Sequence, residues 1–199
     1  MYDERLAEFS RARLDGRPVP DDLRVLLVAQ WDGRTDFSRL LDLDFFEAEE
    51  LHPLLDTRYL SEKELADPEM QAANAGAAEM ATYVKLVAKG GKGWIGYWLH
   101  PDEPTVPAWR LVELDTEFTF WSLVGLTLTE GSAAERASYQ QDEPDERIAF
   151  TRLAARLAEL GLPLSTTDYD ALDDTEYRVD PEKLMEELIE AEREKRGLR

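Results

Sequence analysis

Residues 82–99 hold two strand-like runs around a glycine turn, and this hairpin constrains the fold more than any other feature. Thr82-Tyr83-Val84-Lys85-Leu86-Val87-Ala88-Lys89 is rich in β-branched and apolar side chains, with Lys85 and Lys89 at the expected solvent positions. Gly90-Gly91-Lys92-Gly93 turns the chain back into Trp94-Ile95-Gly96-Tyr97-Trp98-Leu99. A Walker-type phosphate loop needs GxxxxGK followed by Ser or Thr, leading from a strand into a helix. These glycines lie between two strands, so turn glycines at positive φ are the simpler expectation.

Strands also follow the hairpin. Pro101–Pro107 reads as a loop, Trp109–Leu114 as a third strand and Phe118–Val124 as a fourth. Helices flank this group. Met1–Leu14 is an amphipathic helix broken by Gly16, Pro18 and Pro20, and a second runs from Asp21 to Trp31, stopped by Gly33. Leu40–Phe46 reads as a short strand and Glu47–Leu55 as a helix. Ser61–Met80 is helical in composition, interrupted by Pro68 and Gly76. After the sheet, helix is expected at Thr129–Tyr139. A further helix starts at Pro144, with Phe150, Leu153, Leu157 and Leu160 on one face. Ser165–Tyr177 is a polar connector, and Asp180-Pro181-Glu182 opens a last helix striped by Leu184, Met185, Leu188 and Ile189. The order predicts an α+β fold: an antiparallel meander of four or more strands flanked by N-terminal and C-terminal helices. The expected organisation is a domain over residues 1–141 and a helical extension over 142–199, docked on it.

Charge bounds the partners. Lys plus Arg number 23 against 43 Asp plus Glu, a net charge of -20. That surface repels phosphate backbones and anionic headgroups, so neither nucleic acid nor membrane is an expected partner, whereas a basic protein is steered in. Between Asp32 and Glu69 twelve acidic residues face only Arg34, Arg39, Arg58 and Lys63, among leucines and phenylalanines that imply folding rather than an acidic tail. The chain has no cysteine, which removes thiolate catalysis, disulfides and Cys-ligated zinc. The N-terminus lacks the apolar run of a secretory signal and no stretch is long enough to span a bilayer, so a cytoplasmic protein is expected, a monomer or weak homodimer.

Chemistry-bearing motifs are sparse. His52 and His100 belong to no HExxH or HxH spacing, and no GxSxG elbow exists. Asp42-Leu43-Asp44 and Asp173-Asp174 are carboxylate pairs, but 43 acidic residues produce such pairs by chance, and Asp42 and Asp44 alternate onto one solvent face. No catalytic residue, cofactor or metal site is expected. Four of the five tryptophans (Trp94, Trp98, Trp109 and Trp121) fall in the sheet region; Trp94 and Trp98 point to one side of a regular strand, as packing or as an anchoring patch.

The motif order resembles the SUKH superfamily, which includes a fungal regulator of cell-wall synthesis and many bacterial immunity proteins. Val19-Pro20-Asp21-Asp22-Leu23 through Trp31-Asp32-Gly33 is similar to its Leu-Pro entry into a helix ending near Asn-Gly. Gly90 to Tyr97 resembles its glycine-bearing hairpin. Pro107–Asp115 sits where its pre-terminal strand ends in an acidic residue, and Thr127–Glu130 where its final helix begins. The chain departs from the pattern at Asp32, at Gly131-Ser132, over Asp56–Met80 and after Asp142. The resemblance implies a protein-binding platform without catalytic residues, and for bacterial members an antidote that blocks a toxin. An acidic antidote suits a toxin with a basic active surface. The interface residues expected on this reading are Asp42, Asp44, Glu47, Glu49 and Glu50 in the acidic segment, with Asp102, Glu103 and Trp109 beyond the hairpin. A regulatory scaffold of the same fold and a hydrolase built on His52 or His100 are the alternatives.

Overall fold

A computed structural model describes residues 2–105, 108–139 and 145–198. Its centre is the hairpin: β2 (Val84–Lys89) pairs antiparallel with β3 (Gly93–Trp98), with an irregularity between Leu86 and Ala88. β4 (Arg110–Asp115), β5 (Phe120–Leu123) and the two-residue β1 (Asp44–Phe45) complete a five-stranded antiparallel meander of order β1-β2-β3-β4-β5. The α+β architecture is therefore as the sequence implies.

Alternation along β3 explains why both faces of the sheet are covered. Ile95 and Tyr97 enter a core with Phe9, Leu23, Leu27 and Phe150, so α1 (Asp3–Arg13), α2 (Asp21–Trp31) and α7 (Glu146–Glu159) lie on that side. Trp94 and Trp98 point to the opposite face, packing with Met80, Val112 and Leu114 beneath α5 (Pro68–Met80) and α8 (Pro181–Lys195). Pro68 does not interrupt a helix but begins one, with the Asp67 side chain accepting from the Glu69 amide. Gly76 lies inside α5, where a Cβ would come within 2.8 Å of Ile189 Cγ1 on α8; the glycine is what lets the helices touch. The Trp98 indole N–H donates to the Val179 carbonyl at 3.1 Å, tying the C-terminal segment to the sheet. The polar connector is likewise anchored: the Tyr177 hydroxyl donates to the Leu111 carbonyl at 2.6 Å. The helix start expected at Pro144 and the boundary at residues 141 and 142 lie outside the described residues; α7 begins on Asp145 as its cap.

Several expectations fail, each for a non-local reason. Leu40–Phe46 is not a strand. α3 (Asp36–Leu41) occupies its first part and ends on Asp42 at φ 56°, leaving only Asp44 and Phe45 extended. β1 is an edge whose outer side is blocked by Gln30, whose side-chain amide donates to Phe45 O at 3.0 Å and accepts from Phe45 N at 2.8 Å. Glu47–Leu55 is not a helix. The buried Arg13 guanidinium takes the Glu47 and Glu50 carbonyls, both at 2.6 Å, and only Pro53–Leu55 forms a 3-10 turn. Lys85 is buried rather than exposed, its ammonium bonded to the Ala81 carbonyl at 3.2 Å and paired with Asp15 at 2.9 Å. The turn glycines do not take positive φ, which among the described glycines is found at Gly16, Gly33, Gly125, Gly161 and Gly197. Gly93 is needed for closeness instead, since a Cβ there would fall 2.1 Å from the Leu114 carbonyl oxygen.

Candidate functional site

The bend that Arg13 holds forms one wall of a groove. α1 supplies the other wall, because Glu4, Arg5 and Glu8 recur on its exposed side while Phe9 turns inward. Trp31, the last residue of α2, and Tyr2 line the bottom, their rings 5.8 Å apart. The groove encloses about 580 Å³ and takes Glu47 and Glu49 from the bend. Four carboxylates (Glu4, Glu8, Glu47 and Glu49) therefore surround an aromatic floor with one basic side chain among them.

That basic side chain shows what the groove holds well. The Arg5 guanidinium lies 4.3 Å from the centre of the Trp31 ring and donates to both Glu47 carboxylate oxygens, at 2.9 and 2.7 Å. Both bonds come from Nη2, and stacking on an aromatic face together with charge-assisted donation to a carboxylate are recognition modes that suit a guanidinium. Both partners are partly solvated, with Arg5 and Glu47 side chains 42% and 44% exposed, so the pair is weak and exchangeable. The Trp31 indole N–H is buried without an acceptor. Glu4 and Glu8 make no ion pair among the described residues.

The expected interface residues are dispersed. Glu47 and Glu49 line the groove, and Glu50 closes the bend by accepting from the Glu47 amide at 2.7 Å. Asp42 and Asp44 flank a separate hollow beside Lys89 and Gly90. Asp42 also faces Arg136 at 3.6 Å. Asp102 is exposed on the loop after β3, whereas Trp109 is half-buried with its ring edge-on to Tyr97 at 5.2 Å. Glu103 is not a surface residue. It is 6% exposed and accepts from the Arg178 and Val179 amides at 2.6 and 2.7 Å, so it ties the approach to α8 and has no free face for a partner.

The histidines serve the backbone. His52 Nδ1 accepts from the Leu54 amide at 3.2 Å, which fixes the proton on Nε2, where it donates to the Val84 carbonyl at 3.1 Å. Burial, aided by Lys85 and Arg13, lowers its pKa to about 4 despite the Val84 bond. Neither ring nitrogen is left to act on a substrate. His100 stacks on Trp98 at 5.6 Å and accepts from the Asp102 amide at 3.2 Å.

Residues missed in the sequence form a second, smaller feature. Glu113 on β4 is 2% exposed, and with Glu135 on α6 (Leu128–Ser138) it lines a hollow of about 190 Å³. One signal was available: Leu111, Val112 and Leu114 put apolar side chains on both faces of β4, so a carboxylate between them has nowhere to reach water. No group of three or more metal-ligating side chains converges among the described residues. None of the helices among them is long and apolar enough to cross a membrane. No family model, curated protein or solved structure matches this chain.

Proposed function

We propose that the chain is a non-catalytic binding module whose groove between α1 and the Glu47–Glu50 bend receives an arginine-bearing segment of a basic protein. The observation that carries this reading is Arg5, held on Trp31 and Glu47 as an internal stand-in for such a side chain. An incoming arginine can displace it, because the exposed pair is worth only about 1 kcal/mol or less, and three further carboxylates remain to take the added charge. A net charge of -20 supports fast, steered association with a cationic surface. With the resemblance to the SUKH superfamily, the favoured role is that of an immunity protein that binds and blocks a basic toxin.

A fluorescent peptide carrying three arginines tests the binding step. Association is expected to be fast at 20 mM salt and to slow at least tenfold at 300 mM, as screening shortens the reach of the field. The double variant Glu47→Gln, Glu49→Gln is expected to weaken binding about tenfold. Equal affinity in parent and double variant would refute the groove as the site.

A further inference from the structure

Three buried acids stand out in the fold, and two have structural work. Glu103 accepts two backbone amides through Oε1, although its Oε2 is buried without a partner, and Glu130 accepts those of Leu126 at 2.8 Å and Ser165 at 2.9 Å. Glu113 accepts none: its Oε1 is buried without a partner. Instead its carboxyl shares the hollow with that of Glu135, near enough for each charge to act on the other. A buried carboxylate with an empty acceptor is costly, and a glutamine or a hydrophobe of similar size would be cheaper. The pair therefore asks for a function rather than a packing explanation.

The walls indicate a ligand class. Trp121 and Tyr139, 53% and 46% exposed, line the hollow with Lys92 and Leu123. The Lys92 ammonium already lies 4.0 Å from the centre of the Tyr139 ring, so this wall accepts an ammonium at its face. Two carboxyls with no third ligand suit N–H donors better than a bare divalent ion, which takes six or more oxygens. We propose that Glu113 and Glu135, walled by Trp121 and Tyr139, form a binding site for a primary ammonium or guanidinium group on an alkyl chain.

Binding is coupled to a proton. Burial first, then the neighbouring Glu113 carboxyl, push the Glu135 pKa up to about 8, with Asp42 adding to the effect and the Lys92 ammonium opposing it. Arg136, on the same helix, pairs with Asp42 rather than with Glu135. Near neutral pH the pair thus shares one proton. An ammonium donating to Glu113 Oε1 favours the doubly ionised pair, so the Glu135 proton leaves for solvent as the cation enters. Affinity rises with pH up to about 8.

Calorimetric titration at pH 7 tests this, with cadaverine as the free amine and an acetylated, amidated lysine tripeptide as the protein-borne one. Run in phosphate and in HEPES, whose ionisation heats differ and neither of which carries a primary ammonium, it is expected to show release of close to one proton per bound ligand. Affinity should be about fivefold higher at pH 8 than at pH 7, because the fraction of Glu135 already ionised rises from about one in eleven to one half as pH reaches the pKa. Glu113→Gln should lose at least tenfold in affinity, and the exposed Trp121→Ala, which leaves the core untouched, several-fold. Binding of the tripeptide alone would assign the site to a partner's side chain, and binding of both to a free amine as well. No binding of either at millimolar concentration overturns the proposal, as does binding without proton release that Glu113→Gln leaves unchanged. The Glu47→Gln, Glu49→Gln variant should bind cadaverine normally, which separates this site from the groove.

Discussion

His52 is a neutral imidazole wedged between two backbone groups, and its titration is written into the stability of the fold. Folding lowers its pKa from about 6.5 to about 4, so between those values the unfolded chain binds more protons than the folded one. The stabilisation is complete above pH 6.5 and disappears as pH falls through 4, on the order of 3 kcal/mol in all. Glu135 acts in the opposite direction. Its pKa is raised from 4.5 to about 8, so the folded chain keeps a proton that the unfolded chain has lost, and stability falls as pH rises through that window. The two oppose each other between pH 4.5 and 6.5, so urea unfolding at pH 4.5, 6.5 and 8 should show the parent nearly level and then falling, His52→Gln falling throughout, and Glu135→Gln rising to pH 6.5 and then level. Parallel curves for parent and both variants would contradict these assignments. Neither role has a local signal. His52 follows an acidic run that looks solvated, and Glu135 sits in a helix whose small residues, Ala133 and Ala134, do not announce that β4 lies beneath.

At the scale of elements, β1 shows how a sheet edge is closed with two residues and one side chain. Gln30 covers the amide and carbonyl of Phe45 from outside, leaving little for another strand to pair with. Gln30→Ala is expected to cost about 1–2 kcal/mol by loss of both bonds at a partly buried site. It should also increase self-association at high concentration; denaturant midpoints and sedimentation check the two effects. The hairpin and the strands after it were readable because their period and their glycines are local properties. The two helices at residues 3–31 were readable for the same reason, through Pro20 and Gly33. Failure came where distant groups decide. Arg13, more than thirty residues away, claims the carbonyls that a Glu47–Leu55 helix would need, and Asp15 draws Lys85 inward from an expected surface position. The candidate site divides in the same way. Glu47 and Glu49 were picked out by acidic density, whereas Arg5 and Trp31 acquire their meaning only when α1 and α2 are brought together.

At the scale of the whole molecule, a sheet covered on both faces holds apart two acidic features with different demands. The groove beside α1 is open and multiply charged, suited to a protein segment; the hollow between β4 and α6 is small and holds two carboxyls. Both fit the same global fact, an excess of twenty negative charges that draws cations of any size toward the surface. The account rests on the groove taking an arginine in place of Arg5. The most direct measurement is the proton resonance of the Trp31 indole N–H, which has no acceptor in the free protein, followed during titration with the three-arginine peptide. The account predicts a saturable shift of this signal together with the Glu47 and Glu49 amides, while the indole of Trp98, bonded to Val179, stays fixed. Shifts scattered evenly over the acidic surface, with the Trp31 indole unmoved at saturation, would contradict it.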